Sequence, residues 1–378
     1  MTDSPAFPVV PMLAKAVTTV PEPDSVEGGL SYEPKWDGFR GIVSVTADGV
    51  EIGSRGSKPL TRYFPELVAE FARQLPVGCV LDGEIILPRP VDTTGGATGD
   101  AAGATTTDAA GTWADSTGER RLDWEALSQR IHPAASRVAK LAEETPAMFV
   151  AFDLLALDGA ELLGLPFSER RAALEQLAQT FEAPLSLSRR TLDVEQAKRW
   201  LVEFEGAGLD GIVAKPLAAA YAPGKRIMLK VKHHREADVV VTGYRIHKSG
   251  QGVGSLLLGL FDDEGGIRGV GGASAFSDKR RLELIDELEP YVLRDDEGRP
   301  VLGEGERSRF SSGKDVSFVQ LEPRLVAEVR YDQMEGLRFR HTVQFERWRP
   351  DREARSCTFE QLDRPIAYDL GEVLVRTE

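Results

Sequence analysis

Apolar residues recur at helical spacing in three stretches of the chain. Phe64, Leu67, Val68, Phe71 and Leu75 form one stripe, and Pro65 suits a first turn, where its missing N–H costs nothing. Ser168, ahead of ERRAALEQLAQTF, is expected to cap a second helix. A third is expected to run from Asp193, whose carboxylate caps while Gln196 reaches back, through Trp200 and Phe204 to a stop at Gly206. Elsewhere the period is two. In CVLDGEIIL, Asp82 and Glu84 share one face of a strand, and Leu81, Ile85 and Leu87 share the other. In IMLKVK, Lys230 and Lys232 lie together, opposite Ile227, Leu229 and Val231. After residue 236 the pattern becomes VVVTGYRI, SLLLGLF, IRGVGGAS and LVAEVRY, short strands parted by Gly-rich turns, with one helix near residues 278 to 289. This predicts an α+β domain over 1–235 followed by a small all-β barrel over 236–378.

Composition supports two domains. A chain of 378 residues with 42% hydrophobic content can fill two cores, and no apolar run approaches the roughly 20 residues that cross a bilayer. The opening MTDSPAFPVVPMLAK has no basic region leading into an apolar one, so a cytoplasmic protein without a membrane is expected. Residues 91–118, mostly Gly, Ala, Thr and Asp, cannot bury enough apolar surface to offset their ordering entropy and read as a flexible surface insertion. Cys79 and Cys357 stand far apart with no metal-ligand spacing around them, which argues against a zinc site and against a disulfide framework.

The balance of 46 basic against 60 acidic residues, net −14, has the wrong sign for a protein that coats nucleic acid. A local exception is YAPGKRIMLKVKHHR, where Lys225, Arg226, Lys230, Lys232 and Arg235 occur with no acid among them. A second candidate is Lys35 in SYEPKWDGFR, close to Glu33, Asp37 and Arg40. A lysine is a nucleophile only when deprotonated, a state favoured by nearby cations or desolvation; Lys215, Lys230 and Lys232 supply such cations if their strands converge. GSRGSKPLT lacks the spacing of a P-loop, and GQGVGS lies among strand patterns where no helix opens, so neither marks a nucleotide fold of those kinds.

The ordered segments KWDGFR at 35–40, SRG at 54–56, LDGEII at 81–86, FVAFDLL at 149–155, LDGIVAK at 209–215 and LKVK at 229–232, followed by FRHTVQFERWRPD at 339–351, resemble the motif set of the covalent nucleotidyltransferases. Within that superfamily the chain is most similar to bacterial ATP-dependent DNA ligases of the ligase C type, a likeness the PMLAK opening at 11–15 shares. The resemblance implies an adenylation domain followed by an OB-fold, and an enzyme that seals DNA nicks. Lys35 would attack the α-phosphorus of ATP, expel pyrophosphate and carry AMP to a 5′-phosphate, which a 3′-hydroxyl then attacks.

The same resemblance gives Glu33 the adenine amine, Phe152 the base stack, and Arg40 and Arg55 the ribose and phosphates. Lys215, Lys230 and Lys232 fall to the triphosphate, Glu84 to the ribose and the metal, and Asp210 to the metal. Asp210 stands where many ligases carry glutamate, one methylene longer. Asp82 is either a site residue or a structural hydrogen-bonding group. Arg338 and Arg340 share a strand face, followed by Arg347, Arg349 and Arg352, in the motif that closes over the triphosphate. The stretch around His234 to Ala237 is the candidate hinge, and His341 is a strand residue with no acid–base role. The implied cofactors are ATP and Mg²⁺, with Mn²⁺ as a substitute. The implied partner is nicked duplex DNA, met by a monomer at the nucleoid together with other DNA-repair proteins. An RNA ligase, a GTP-using capping enzyme and a non-catalytic OB-containing scaffold are the alternatives.

Overall fold

The computed structural model describes residues 9–56, 58–90, 120–233, 235–304, 317–362 and 367–374; the insertion at 91–118 and His234 of the candidate hinge lie outside them. The chain divides into two compact units, one formed by Met1–Lys232 with Pro365–Glu378 and the other by His233–Arg364.

Two sheets build the first unit. The four-stranded sheet runs in the order Leu13–Ala16, Arg226–Val231, Ile212–Pro216 and Leu30–Pro34. The larger sheet runs Leu185–Leu187, Met148–Leu157, Cys79–Ile86, Phe39–Thr46 and Gly49–Ser54, with Ala160–Glu161 added beside Met148–Leu157. The alternation in Cys79–Ile86 acts as expected. Leu81 and Ile85 enter a core with Phe64, Leu67 and Phe71 from the helix Pro65–Gln74 and its lead-in, while Asp82 faces the other way and is fully buried. A second core joins the sheets through Tyr32, Trp36, Val150, Phe152, Trp200 and Ile212, and a third holds Met12, Ile42, Tyr221 and Met228.

Helix ends differ in part from the sequence reading. Asp193 does cap the helix Val194–Glu203, accepting from the Glu195 N–H at 2.9 Å, and the helix ends before Gly206. Ser168 is not a cap, because the helix already spans Phe167–Leu177. Its first donors go to backbone instead: the Phe167 N–H to Ala219 and the Ser168 N–H to Leu217.

The tail also departs from the expected assignment to the barrel. Leu370 and Val373 are buried in the core that contains Trp36 and Phe152, the Tyr368 ring lies 5.2 Å from Phe204, and the Asp369 carboxylate accepts from the Arg120 N–H at 3.0 Å. Apolar burial draws it there. Truncating such a side chain forfeits transfer energy and leaves a cavity, so Leu370→Ala is expected to lower the stability of the first unit by roughly 2–5 kcal/mol, read by urea unfolding of the full chain.

The second unit is a curled antiparallel sheet. Its 12-residue strand Arg235–Ile246 serves three partners, Val326–Tyr331 along its first half and both Val253–Phe261 and Ser317–Gln320 along its second. Gln344–Trp348 pairs with Val326–Tyr331, and Val343 bridges to Ala273 at the edge of the strand Ile267–Ala273, which brings the sheet round on itself. The helix Asp278–Leu288, capped by Ser277, sets Leu284 and Leu288 into the interior. Cys79 and Cys357 are buried free thiols in separate units.

Candidate active site

Between the two sheets of the first unit lies a cavity of about 420 Å³. Eight of the site residues proposed from sequence line it: Glu33, Lys35, Arg40, Arg55, Glu84, Phe152, Lys215 and Lys230. The other two, Asp210 and Lys232, meet it through Lys35. The Lys35 ammonium donates to Asp210 Oδ2 at 2.5 Å, and Lys232 Nζ approaches the same oxygen at 3.0 Å.

The backbone sets this contact. Lys35 follows the strand Leu30–Pro34; its N–H donates to the Gly211 carbonyl at 2.8 Å, and the Asp210 N–H returns a bond to the Lys35 carbonyl at 3.0 Å. Gly211 has φ +134°, and a Cβ there would stand 2.0 Å from the Val231 carbonyl oxygen. Only glycine fits. The dipeptide at 210–211 thus pins the lysine to its carboxylate, and the register Val213↔Lys230 brings the second cationic strand alongside.

Charge is concentrated here. Burial works against the Asp210 carboxylate, but Lys35 and Lys232 outweigh it and hold its pKa below the usual range. Lys230 is pushed down by its own burial and then by Lys35, Lys232 and Arg55, so these cations do converge. Glu84 is pushed up to about 7, chiefly by burial, against the pull of Arg40 and Lys35.

Lys215 is used differently from Lys230. It is 3% exposed; its ammonium pairs with Glu33 at 2.9 Å, donates to the Phe152 carbonyl at 2.9 Å and lies 4.6 Å from the Phe152 ring centre. Burial lowers its pKa, with Glu33 and Asp153 opposing. In this arrangement Lys215 both lines the cavity and pairs with Glu33. Glu33 also meets Arg171 at 3.5 Å, and Arg171 donates to the Ser188 carbonyl at 2.6 Å, while Trp36 Nε1 donates to Ser188 Oγ at 2.9 Å. Asp153 and Arg170 form a buried pair at 2.8 Å nearby. Sequence reasoning assigned no role to Arg170, Arg171 or Ser188, whose partners are distant in the chain.

Arg40 grips the buried Asp82 with two nitrogens, Nη2 at 2.6 Å from Oδ2, and its guanidinium carbon lies 4.5 Å from the Phe152 ring centre. Bidentate pairing fixes both position and plane. Asp82 therefore has the structural hydrogen-bonding role. Phe152 is at once a core residue, 7% exposed, and a cavity wall.

In the second unit, Arg347 pairs with Glu328 at 2.7 Å, and Arg349 with Asp238, Glu328 and Asp351 at 3.0, 3.1 and 2.8 Å. The strand at Arg338–Phe339 is only two residues long and excludes Arg340, and His341 lies in a bend outside any strand.

The sequence pattern of the ATP dependent DNA ligase domain matches residues 11–232, and that of the ATP dependent DNA ligase C terminal region matches residues 249–352. The chain belongs to the ATP-dependent DNA ligases. It is 51% identical over 371 residues to DNA ligase C2 of Mycolicibacterium smegmatis, covering 95% of both chains. It is 49% identical over 382 residues to DNA ligase C of Mycobacterium tuberculosis, covering 97% of both. Kinship to the bacterial ligase C type stands as expected. A solved structure from a study of Lig E DNA ligases matches 90% of this chain and all of its own at 16% identity and a TM-score of 0.52, and one named Pmar-Lig_PreS3 matches 91% of this chain and 68% of its own at 17% and 0.57. Those two likenesses concern the fold, an adenylation domain followed by an OB-fold, which is the architecture expected from the sequence.

Proposed function

We propose that this ligase seals nicks in duplex DNA by parking AMP on Lys35. The observation that carries the reading is the meeting of Lys35, Asp210, Lys230 and Lys232 at a cavity of mononucleotide size. In the first step the Lys35 nitrogen bonds to the α-phosphorus of ATP, the bond to pyrophosphate breaks, and the lysine gives up a proton. Asp210 is the group within hydrogen-bond reach of that proton. Lys232, which shares Asp210 Oδ2 with Lys35, is the cation that would turn to the triphosphate. Lys230 and Arg55 offset the charge that develops as pyrophosphate leaves. Glu33, held by Lys215 and Arg171, is an acceptor that suits the amine of adenine and not the carbonyl of guanine.

The donor set fits a magnesium ion that arrives with the nucleotide. Among the described residues no three or more His, Cys, Asp or Glu gather as a metal site, and Mg²⁺ is commonly held by one or two carboxylates plus substrate phosphates. Glu84, half-buried on the cavity wall, would hold it in its ionised form, with Asp210 as second ligand; the ion would supply charge to the phosphates. On this reading the enzyme acts as a monomer at the nucleoid, on nicked duplex, among repair proteins.

Incubating the full chain with Mg²⁺ and either ATP or GTP, then reading intact mass, tests the reading. An AMP adduct that chases into sealed nicked duplex is expected. A GMP adduct alone would reassign the enzyme to capping chemistry, sealing confined to RNA ends would make it an RNA ligase, and binding of nicked duplex without any adduct would leave a scaffold.

A further inference from the structure

Tyr221 lies in the basic segment at 221–235, yet the functional reading gives it nothing to do. It is 4% exposed and does not line the cavity, so it touches no substrate. Its hydroxyl nevertheless joins two pieces that do. The oxygen accepts from the Met12 N–H at 2.9 Å, and its proton goes to Asp82 Oδ2 at 2.7 Å, on a partner 139 residues away. Asp82 grips Arg40 with both oxygens, and Arg40 Nη2 lies 3.4 Å from the Met12 carbonyl oxygen. The four residues therefore close a ring of hydrogen bonds: phenol to carboxylate, guanidinium to carboxylate and to Met12 carbonyl, Met12 amide back to phenol.

The ring is braced on its far side. The Ala222 N–H points at Met12 Sδ at 3.4 Å, the Gly224 N–H donates to the Pro11 carbonyl at 3.2 Å, and the Leu13 N–H donates to the Lys225 carbonyl at 2.8 Å. Residues 221–225 thus run along Pro11–Leu13, which form one wall of the cavity. Burial first, then Asp82, pushes the phenol pKa far up, so the hydroxyl keeps the single proton the ring needs.

We propose that Tyr221 is a positioning residue for nucleotide binding: it locks the Asp82 carboxylate plane and the Pro11–Leu13 wall into one rigid piece, and so presents the Arg40 guanidinium to the ribose and phosphates of ATP. This rests on the reading of the cavity as the ATP site. Asp82 alone fixes Arg40 to one side chain; the phenol ties that carboxylate to the Met12 N–H, beside the longer contact of Arg40 Nη2 with the Met12 carbonyl at 3.4 Å. Removing the hydroxyl leaves the Met12 N–H buried without its acceptor and frees the carboxylate to rotate, carrying Arg40 with it. A misplacement on the ångström scale is enough to weaken a bidentate contact severely.

The test reads ATP affinity by calorimetry on the full chain carrying Lys35→Ala, where binding proceeds without reaction. Adding Tyr221→Phe is expected to weaken ATP binding roughly tenfold, adding Arg40→Lys to do the same or more, and adding both to match Arg40→Lys alone, since the two act through one contact. Ile42→Val, which loosens the same apolar cluster without touching the hydroxyl, is expected to lower the melting temperature and leave affinity unchanged. Unchanged affinity in the Tyr221→Phe chain, losses that multiply in the double variant, or an equal loss from Ile42→Val would each overturn the assignment. The adduct assay on the wild-type chain separates the two claims. ATP binding with the expected pattern but no adduct sinks the nick-sealing reading and keeps Tyr221, whereas an adduct with affinity indifferent to Tyr221→Phe does the reverse.

Discussion

Lys35→Ala is expected to yield no nucleotide adduct by intact mass after exposure to ATP and Mg²⁺, and to lose nick sealing altogether. The rival acceptor is Lys230, which also lines the cavity and whose amine is made easier to deprotonate by burial and by three neighbouring cations. Lys215 is a weaker rival, because its ammonium is buried against Glu33 and the Phe152 carbonyl. What separates Lys35 from Lys230 is Asp210, at 2.5 Å from the Lys35 nitrogen and so in place to receive a proton. Lys230→Ala should therefore slow adduct formation and not prevent it. An adduct that persists without Lys35 and vanishes without Lys230 would exchange their roles. A nick supplied with AMP already on its 5′-phosphate bypasses the lysine, and the Lys35→Ala chain should still join a fraction of it.

Gly211→Ala should be nearly as damaging, though position 211 carries no chemistry. The added methyl would meet the backbone of Val231 and Lys232, atoms that cannot swing aside, at a φ of +134° that alanine avoids. Local strain and overpacking together cost roughly 2–6 kcal/mol. Relief requires the strands Ile212–Pro216 and Arg226–Val231 to part at the point where Lys35, Asp210 and Lys232 converge. Adduct formation is expected to fall by a hundredfold or more while circular dichroism still reports a folded chain. Near-normal adduct formation would show that the loop around 210–211 can yield without moving the lysine.

Much of this site is legible in the sequence because strands write their faces at a period of two. Asp82 and Glu84 share a side, as do Lys230 and Lys232, and the structure keeps both pairs on the faces that lead to the cavity or its supports. Helix existence is legible for the same reason, in the stripe that begins at Phe64. The rest depends on pairings that no local pattern announces. Arg171 reaches Glu33 across 138 residues, and Asp82 meets Tyr221 across 139. The start of the helix at Phe167 is set by carbonyls of Leu217 and Ala219, so reading Ser168 as a cap follows good local chemistry and still misses. Lys215 shows the same limit from the other side: its motif position says that a cation is needed, and only the fold shows that this cation pairs with Glu33. The tail at 367–374 is too short to display a period, and its home in the first unit is decided by the aromatic surface of Phe204 and its neighbours.

That tail fixes an order of events during synthesis. Leu370 and Val373 emerge from the ribosome only after the whole intervening barrel has been made, yet they finish the interior against which Trp36 and Phe152 rest. The nucleotide-binding half, although translated first, is completed last. A nascent chain halted anywhere inside the barrel would carry an unfinished catalytic half, so a broken message or a stalled ribosome releases a product whose AMP-accepting half still lacks the apolar supports of this tail.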